Sequence, residues 1–241
     1  MAIMAKSRPK VYAIIPAAGS GTRLGSPVKK QFVHLGDRPL LVHTVQRFEE
    51  CAEVDEIVIA VPEETLAETK SLISRYRLHK VSKIVTGAER RQGSVENAFR
   101  RIRTKASDIV LVHDGVRPFI EPAKIREVVN VCREFDAAAL AVQPKETVRR
   151  SNGGSHFEQT IDRAALWLMQ TPQGFRASIL KRAFMAAHAS RYHATDEVAL
   201  VERLGIKPRI IIGSYDNIKI TTPEDLELGS LILERWKSQR T

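Results

Sequence analysis

The sequence predicts a three-layer α/β protein, in which a mainly parallel sheet is covered by helices on both faces. Two observations carry that expectation. Short β-branched runs alternate along the chain with longer segments of helical spacing. The runs are also apolar at consecutive positions, as strands buried on both faces are, rather than at every second one. Right-handed strand–helix–strand crossovers follow, and ligands then collect at the carboxyl ends of the strands. The residues just after each strand therefore weigh most. At 241 residues, the chain reads as a single domain over 1–241 with one generous core.

The elements follow in order. "VYAIIPA" (11–17) is the first strand and runs into a glycine loop and then into cations. "PLLVHTVQRFEE" (39–50) is the first helix, "EIVIAVP" (56–62) the second strand and "EETLAETKSLISRY" (63–76) the second helix. The strands "KIVTG" (83–87) and "DIVLVHDG" (108–115) flank a helix at "GSVENAFRRIRT" (93–104). "PAKIREVVNVCREF" (122–135) is a helix leading to the strand "AALAVQP" (138–144). After the helix "ASILKRAFMAAHA" (177–189) come the strands "RIIIGS" (209–214) and "NIKITT" (217–222). In "TTPEDLELGSLILERW", Thr222 can cap a last helix, Pro223 suits its first position, and Glu224 and Asp225 complement its dipole. That boundary places Lys219 inside the preceding strand.

One segment departs from the alternation. "ETVRRSNGGSHFEQTIDR" (146–163) has Asn152-Gly153 at its centre, a hairpin turn signal. Its flanks offer little to bury beyond Val148, Phe157 and Ile161, and a two-stranded ribbon alone is marginal. Residues 143–166 therefore read as a protruding β-arm, either a loose surface excursion or a ribbon that packs on a partner chain, and Thr147 and Arg163 at its base, placed for a ligand, favour the second.

Composition narrows the function. The net charge of +10 suits nucleic acid, an anionic surface or a small polyanionic substrate. The basic clusters ("KSRPK", "VKKQ", "ERRQ", "FRRIRTK", "VRR", "RWKSQR") are scattered rather than gathered on one element, as solvated helix faces are. Cys51 and Cys132 stand far apart with no CxxC or Cys/His cluster, which fits small core residues in a reducing cytoplasm. No apolar run is long enough to cross a bilayer. "VYAIIPAAG" reads as a strand rather than a leader, and Met4 is an alternative start.

The first loop is the centre of the chemistry. Gly19, Gly21 and Gly25 give G-x-G-x-x-x-G, which matches neither the dinucleotide fingerprint nor a Walker loop. Ala17, Ala18, Gly19 and Gly21 carry almost no side chain, so backbone N–H groups can approach an anion. Arg23, Lys29 and Lys30 follow closely, and cations so gathered repel one another unless an anion is present. The combination suits a triphosphate, because fixed cations stabilise charge on phosphate oxygens in the transition state.

"PAAGSGTRLG…PVKKQF" resembles the signature of the 2-C-methyl-D-erythritol 4-phosphate cytidylyltransferase family. "ERRQGSV", "VLVHDGVRPF", "QTIDRAALW", "QTPQGF", "ATDEVALVERLG" and "DNIKITTPEDL" agree in order, so the resemblance runs from residue 12 to residue 226. It implies a Rossmann-like nucleotidyltransferase fold and transfer of a cytidylyl group from CTP to methylerythritol 4-phosphate in non-mevalonate isoprenoid synthesis. By resemblance, Arg23 and Lys30 stabilise the transition state at the α-phosphate. Ala17, Ala18, Gly19 and Gly21 hold the nucleotide, with Gly87, Arg91 and Ser94 near the base; Ser94 otherwise reads as a helix cap. Asp114 lies near the ribose and the metal, and Gly115 keeps space beside it. Arg117 lines the sugar-phosphate site or makes a structural ion pair. Arg163 and Lys219 grip the incoming phosphate, with Thr147, Thr171 and Thr195 offering hydroxyls. Mg²⁺ is expected on the triphosphate, held mainly by phosphate oxygens, with Asp114 as the one candidate protein ligand. The arm resembles the family's dimerisation arm, which implies a homodimer with shared sites. An already ionised attacking phosphate needs no general base, so the histidines have no assigned role, and His113 reads as a packed strand residue.

Two readings compete. A cytidylyltransferase for another polyol phosphate, such as ribitol 5-phosphate, would share the loop and its cations. A basic nucleic-acid-binding protein would explain the net charge but not the order of the motifs.

Overall fold

The structure is a computed structural model and describes residues 8–19 and 29–238; Gly21 and Arg23 lie outside them. In chain order, β1 (Val11–Pro16) is followed by the short pair β2 (His34–Leu35) and β3 (Arg38–Pro39) and by α1 (Leu40–Glu49). Next come β4 (Glu56–Val61), α2 (Leu66–Arg75), β5 (Val81–Thr86), α3 (Arg91–Phe99), β6 (Ile109–Val112) and α4 (Pro122–Glu134). β7 (Ala137–Val142), the ribbon β8 (Val148–Arg150) and β9 (Gln159–Ile161), and β10 (Leu168–Arg176) follow. The chain ends with α5 (Ala177–Ala189), α6 (Glu197–Glu202), β11 (Arg209–Ile212) and α7 (Pro223–Ser238).

Seven strands form one sheet in the order β11-β7-β10-β6-β1-β4-β5. All neighbours run parallel except β10, which is antiparallel to both β6 and β7. The period of two along β1 splits the core between the faces. Val11, Ala13 and Ile15 pack with α1, α2 and α4, while Tyr12 and Ile14 pack with α3, α5 and α6. Helices on both faces explain why the strands are apolar at consecutive positions. A third cluster, with Leu35, Leu40, Phe119, Ile220 and Leu233, seats α7 beside the β2–β3 turn.

One expected strand is absent and one strand present was not expected. Residues 217–222 are not a strand, so Lys219 lies in an irregular segment. Its neighbour Ile220 donates one backbone bond, to the Val116 carbonyl at 2.9 Å, and the segment forms no ladder. Conversely, β10 has no apolar run to announce it, because "LMQTPQGFR" carries Pro, Gly and two glutamines. Its register slips between Met169 and Gln173, which gives Pro172 a place outside the ladder. Gly174 is needed there, since a Cβ would stand 2.6 Å from Val128 Cγ1 and 2.7 Å from Cys132 Sγ on α4.

The arm forms as a ribbon: Val148 pairs with Ile161 and Arg150 with Gln159, and Gly153 takes φ 93° at the tip. Among the described residues no helix is long and apolar enough to cross a membrane.

Candidate active site

The parallel strands β1, β5 and β6 end on one side of the sheet, and the segments that follow them build a cavity of ≈ 180 Å³. Its lining includes Ala17, Ala18, Gly19, Lys30, Arg91, Ser94, Asp114 and Lys219. A larger groove of ≈ 850 Å³ runs along the edge strand β5, but it has no carboxylate on which its cations converge. Converging charge, rather than size, marks the smaller cavity as the site.

Close backbone approach shapes it. A Cβ on Gly87 would stand 2.3 Å from the Ala18 Cβ, so only glycine lets the loop after β5 lie against the loop after β1. Gly115 does the same after β6, where an added Cβ would sit 3.0 Å from the Ala17 Cβ. Lys30, at the start of a 3-10 turn over Lys30–Phe32, lays Nζ 3.3 Å from where a Gly19 Cβ would be. Its neighbour Lys29 pairs with Glu64 instead, so Lys30 is the lysine of the site.

Ser94 is not the cap of α3. It lies one turn inside the helix, accepts from the Ala88 N–H at 2.9 Å, and its hydroxyl reaches the carbonyls of Ala88 (3.1 Å) and Arg90 (3.3 Å). It thereby closes the 87–90 loop on the helix.

Asp114 is the electrostatic centre. Arg91 Nε donates to Oδ1 at 2.9 Å; Lys219 Nζ (3.0 Å) and Arg117 Nε (3.4 Å) face Oδ2. Burial alone would raise the carboxyl, but Arg91, Lys219 and Arg117 outweigh it and hold it far below the ordinary range. Arg91 also pairs with the fully buried Glu197, Nη1 to Oε2 at 2.7 Å. Burial opposes the charge on Arg91, yet Glu197 and Asp114 together raise it, so the guanidinium stays ionised. Arg117 is mostly committed to structure, since Nη1 also donates to the Asn217 carbonyl at 2.7 Å.

Thr171 and His113 support this centre from below. Arg117 O accepts from His113 Nε2 at 3.0 Å, so that nitrogen carries the ring proton. Nδ1 then accepts from the Thr171 hydroxyl at 3.0 Å, and Thr171 Oγ1 accepts from the Asp114 N–H at 3.1 Å. Burial pushes the His113 imidazole down to about 4 and keeps it neutral. The Thr171 hydroxyl, expected to meet substrate, is used to fix the loop after β6.

The remaining expected residues stand apart. Thr147 and Arg163 lie exposed on the arm and do not line the cavity; Arg163 donates to the Lys145 carbonyl at the arm's base. Thr195 is exposed beside Asp196, whose side chain caps α6 through the Ala199 N–H at 3.0 Å. Glu197, Gln92 and Gln173 were not anticipated from the sequence. The signal available was an acid at the head of the apolar run "EVALV".

Among the described residues no three His, Cys, Asp or Glu side chains group to hold a metal. Asp114, already faced by three cations, does not fit a resident metal site. It is compatible with a divalent cation that arrives on a triphosphate and takes its ligands from phosphate oxygens.

Fold and site together define an α/β protein with small-residue loops and half-buried cations around one cavity at the carboxyl ends of its strands, an arrangement suited to an anionic ligand. The family described as "IspD: 2-C-methyl-D-erythritol 4-phosphate cytidylyltransferase" matches residues 11–235. A protein of that name from Geobacillus kaustophilus is 42% identical over 221 residues, covering 92% of this chain and 96% of that one. Another, from Syntrophus aciditrophicus, is 40% identical over 229 residues, with 95% and 97% covered. The solved 4-diphosphocytidyl-2C-methyl-D-erythritol synthase of Anaerococcus prevotii superposes with TM-score 0.82 at 28% identity, covering 94% of this chain and 96% of that one. The chain belongs to the 2-C-methyl-D-erythritol 4-phosphate cytidylyltransferase family.

Proposed function

We infer that the protein is a nucleotidyltransferase that joins CTP to 2-C-methyl-D-erythritol 4-phosphate in isoprenoid synthesis. A phosphate oxygen of the acceptor attacks the α-phosphorus, the α–β bridging bond breaks, and pyrophosphate leaves with its electron pair. The observation that carries this reading is Lys30 poised over Gly19 in the loop after β1. A cation there stabilises the charge that builds on the α-phosphate oxygens. Lys219, oriented by Asp114, is the cation for the acceptor phosphate. Neither step needs a proton taken up by a side chain, which fits a neutral, buried His113. A magnesium ion carried on CTP would neutralise part of the triphosphate charge.

The same reading makes the enzyme a homodimer that works in the cytoplasm. Phe157 on the arm, Leu168 and Met169 at the start of β10, and Ile210 and Ile212 on β11 are large apolar side chains left exposed. Met169 and Ile212 flank Ala141, the register partner of both. Covering that face with a second copy would carry Thr147 and Arg163 towards the neighbour's cavity, which accounts for their absence from their own.

The test is pyrophosphate release with Mg²⁺, crossing CTP, UTP, ATP and GTP with methylerythritol 4-phosphate and ribitol 5-phosphate. Release is expected only with CTP and methylerythritol 4-phosphate, and Lys30→Ala should lower turnover on the order of 10²–10³-fold. Release only with ribitol 5-phosphate would move the enzyme to another acceptor. The nucleic-acid-binding reading is not favoured, because the cations of the site face carboxylates inside the fold.

A further inference from the structure

Arg91 is the cavity-lining cation held from two sides. Its Nε is bound to Asp114 on the loop after β6, and its Nη1 to Glu197 in the first turn of α6. A guanidinium is a rigid planar fork, so two fixed edges set its plane and leave the remaining donors for a ligand. α6 is itself pinned. Gln173 Nε2 donates to Asp196 Oδ2 at 2.8 Å, Gln173 Oε1 accepts from the Val198 N–H at 3.2 Å, and Gln92 Oε1 accepts from the Ala194 N–H at 2.9 Å.

As a source of stability, Glu197 is badly arranged. It is wholly buried, and its Oε1 has no hydrogen-bond partner among the described residues. Burial raises its carboxyl, against the pull of Arg91. Desolvation offsets the attraction within a buried ion pair, so such a pair is weak evidence of a contribution to stability. What the carboxylate does supply is a fixed acceptor on the side of Arg91 opposite Asp114.

We propose that Glu197 is a positioning residue for the nucleotide, acting through Arg91: the Asp114–Arg91–Glu197 chain holds the guanidinium in the one orientation that serves the nucleotide. The role rests on the nucleotidyltransferase reading above, and it concerns CTP rather than the acceptor.

The experiment compares the full chain with Glu197→Leu and Glu197→Gln. Glu197→Leu removes the acceptor and fills the space; Glu197→Gln keeps an acceptor oxygen for Nη1. Initial rates give kcat and KM for each substrate, calorimetry gives the Kd for CTP with Mg²⁺, and thermal melts report the fold. Glu197→Leu is expected to weaken CTP about 10- to 100-fold in KM and Kd, the weight of a charged hydrogen bond. The acceptor KM should move little, the melting midpoint should fall only as far as one lost partner of Arg91 requires, since Asp114 still faces the guanidinium, and Glu197→Gln should recover part of the loss in CTP affinity. A Glu197→Leu protein with wild-type CTP affinity overturns the role. So does a loss shared equally by both substrates together with a lowered midpoint. If the wild-type chain neither binds nor turns over CTP, the nucleotidyltransferase reading itself falls; if it does both and the variants match it, only the role of Glu197 falls.

Discussion

Gly87 decides how far apart the two loops of the site stand. With 2.3 Å between a new Cβ and the Ala18 Cβ, Gly87→Ala must push the loop after β1 away from its place. Overpacking of this kind costs about 1–3 kcal/mol, and moving a substrate cradle by an ångström costs on the order of 10²-fold in rate. Steady-state kinetics with a melting curve should therefore show kcat/KM for CTP falling on the order of 10²-fold beside a modest loss of stability; wild-type kinetics would contradict the geometry. His113 gives the second expectation at this scale. Its ordinary value of 6.5 drops to about 4 in the fold, so between those pH values the unfolded chain binds more protons than the native one. Stability present above pH 6.5 is thus lost as pH falls towards 4, by about 3 kcal/mol. The raised carboxyl of Glu197 works in the opposite direction, so the quantity to read is the difference between wild type and His113→Gln in denaturant titrations across that window. A difference that stays constant with pH would show that His113 does not titrate as its burial implies.

Among the elements, α7 is held at its start by a reciprocal pair. Asp225 Oδ2 accepts from the Thr221 N–H (2.8 Å), the Thr221 hydroxyl (2.9 Å) and the Thr222 N–H (3.0 Å), while Thr222 Oγ1 accepts from the Asp225 N–H at 3.3 Å. Asp225→Ala should cost about 1 kcal/mol, read as a lower midpoint in urea, with Lys219 three residues before the cap losing part of its fixed approach to Asp114. That start was legible because Thr-Pro-Glu-Asp carries its own local chemistry. The strands β1, β4, β6 and β7 were legible for a similar reason, since burial on both faces writes an apolar run into the sequence. β10 was not, because it is defined by its neighbours: it fits between β6 and β7 through a register slip and a glycine under α4. Residues 217–222 misled in the opposite sense, their apolar alternation serving the α7 cluster through Ile220 rather than a ladder. At the site, cations after strand ends were readable, whereas Glu197 depends on a contact between α3 and α6 that no spacing reveals.

At the scale of the whole molecule, the exposed Ile210 and Ile212, at 53% and 59%, argue that one copy is incomplete. Sedimentation is expected to give a dimer of the 27.0 kDa chain, and Ile210→Lys with Ile212→Lys should shift it to monomer with loss of turnover. A fully active monomer would remove the shared site. The position of β7 between β10 and β11 acts in time as well as in space. After β1, β7 alone among the described sheet strands pairs only with strands that lie later in the chain, β10 and β11. During synthesis at roughly 5–20 residues per second, β7 leaves the ribosome seconds before any partner exists to receive it. Its sequence, AAALAV, is mostly alanine, so a strand that must wait unpaired has little side chain to stick to anything else.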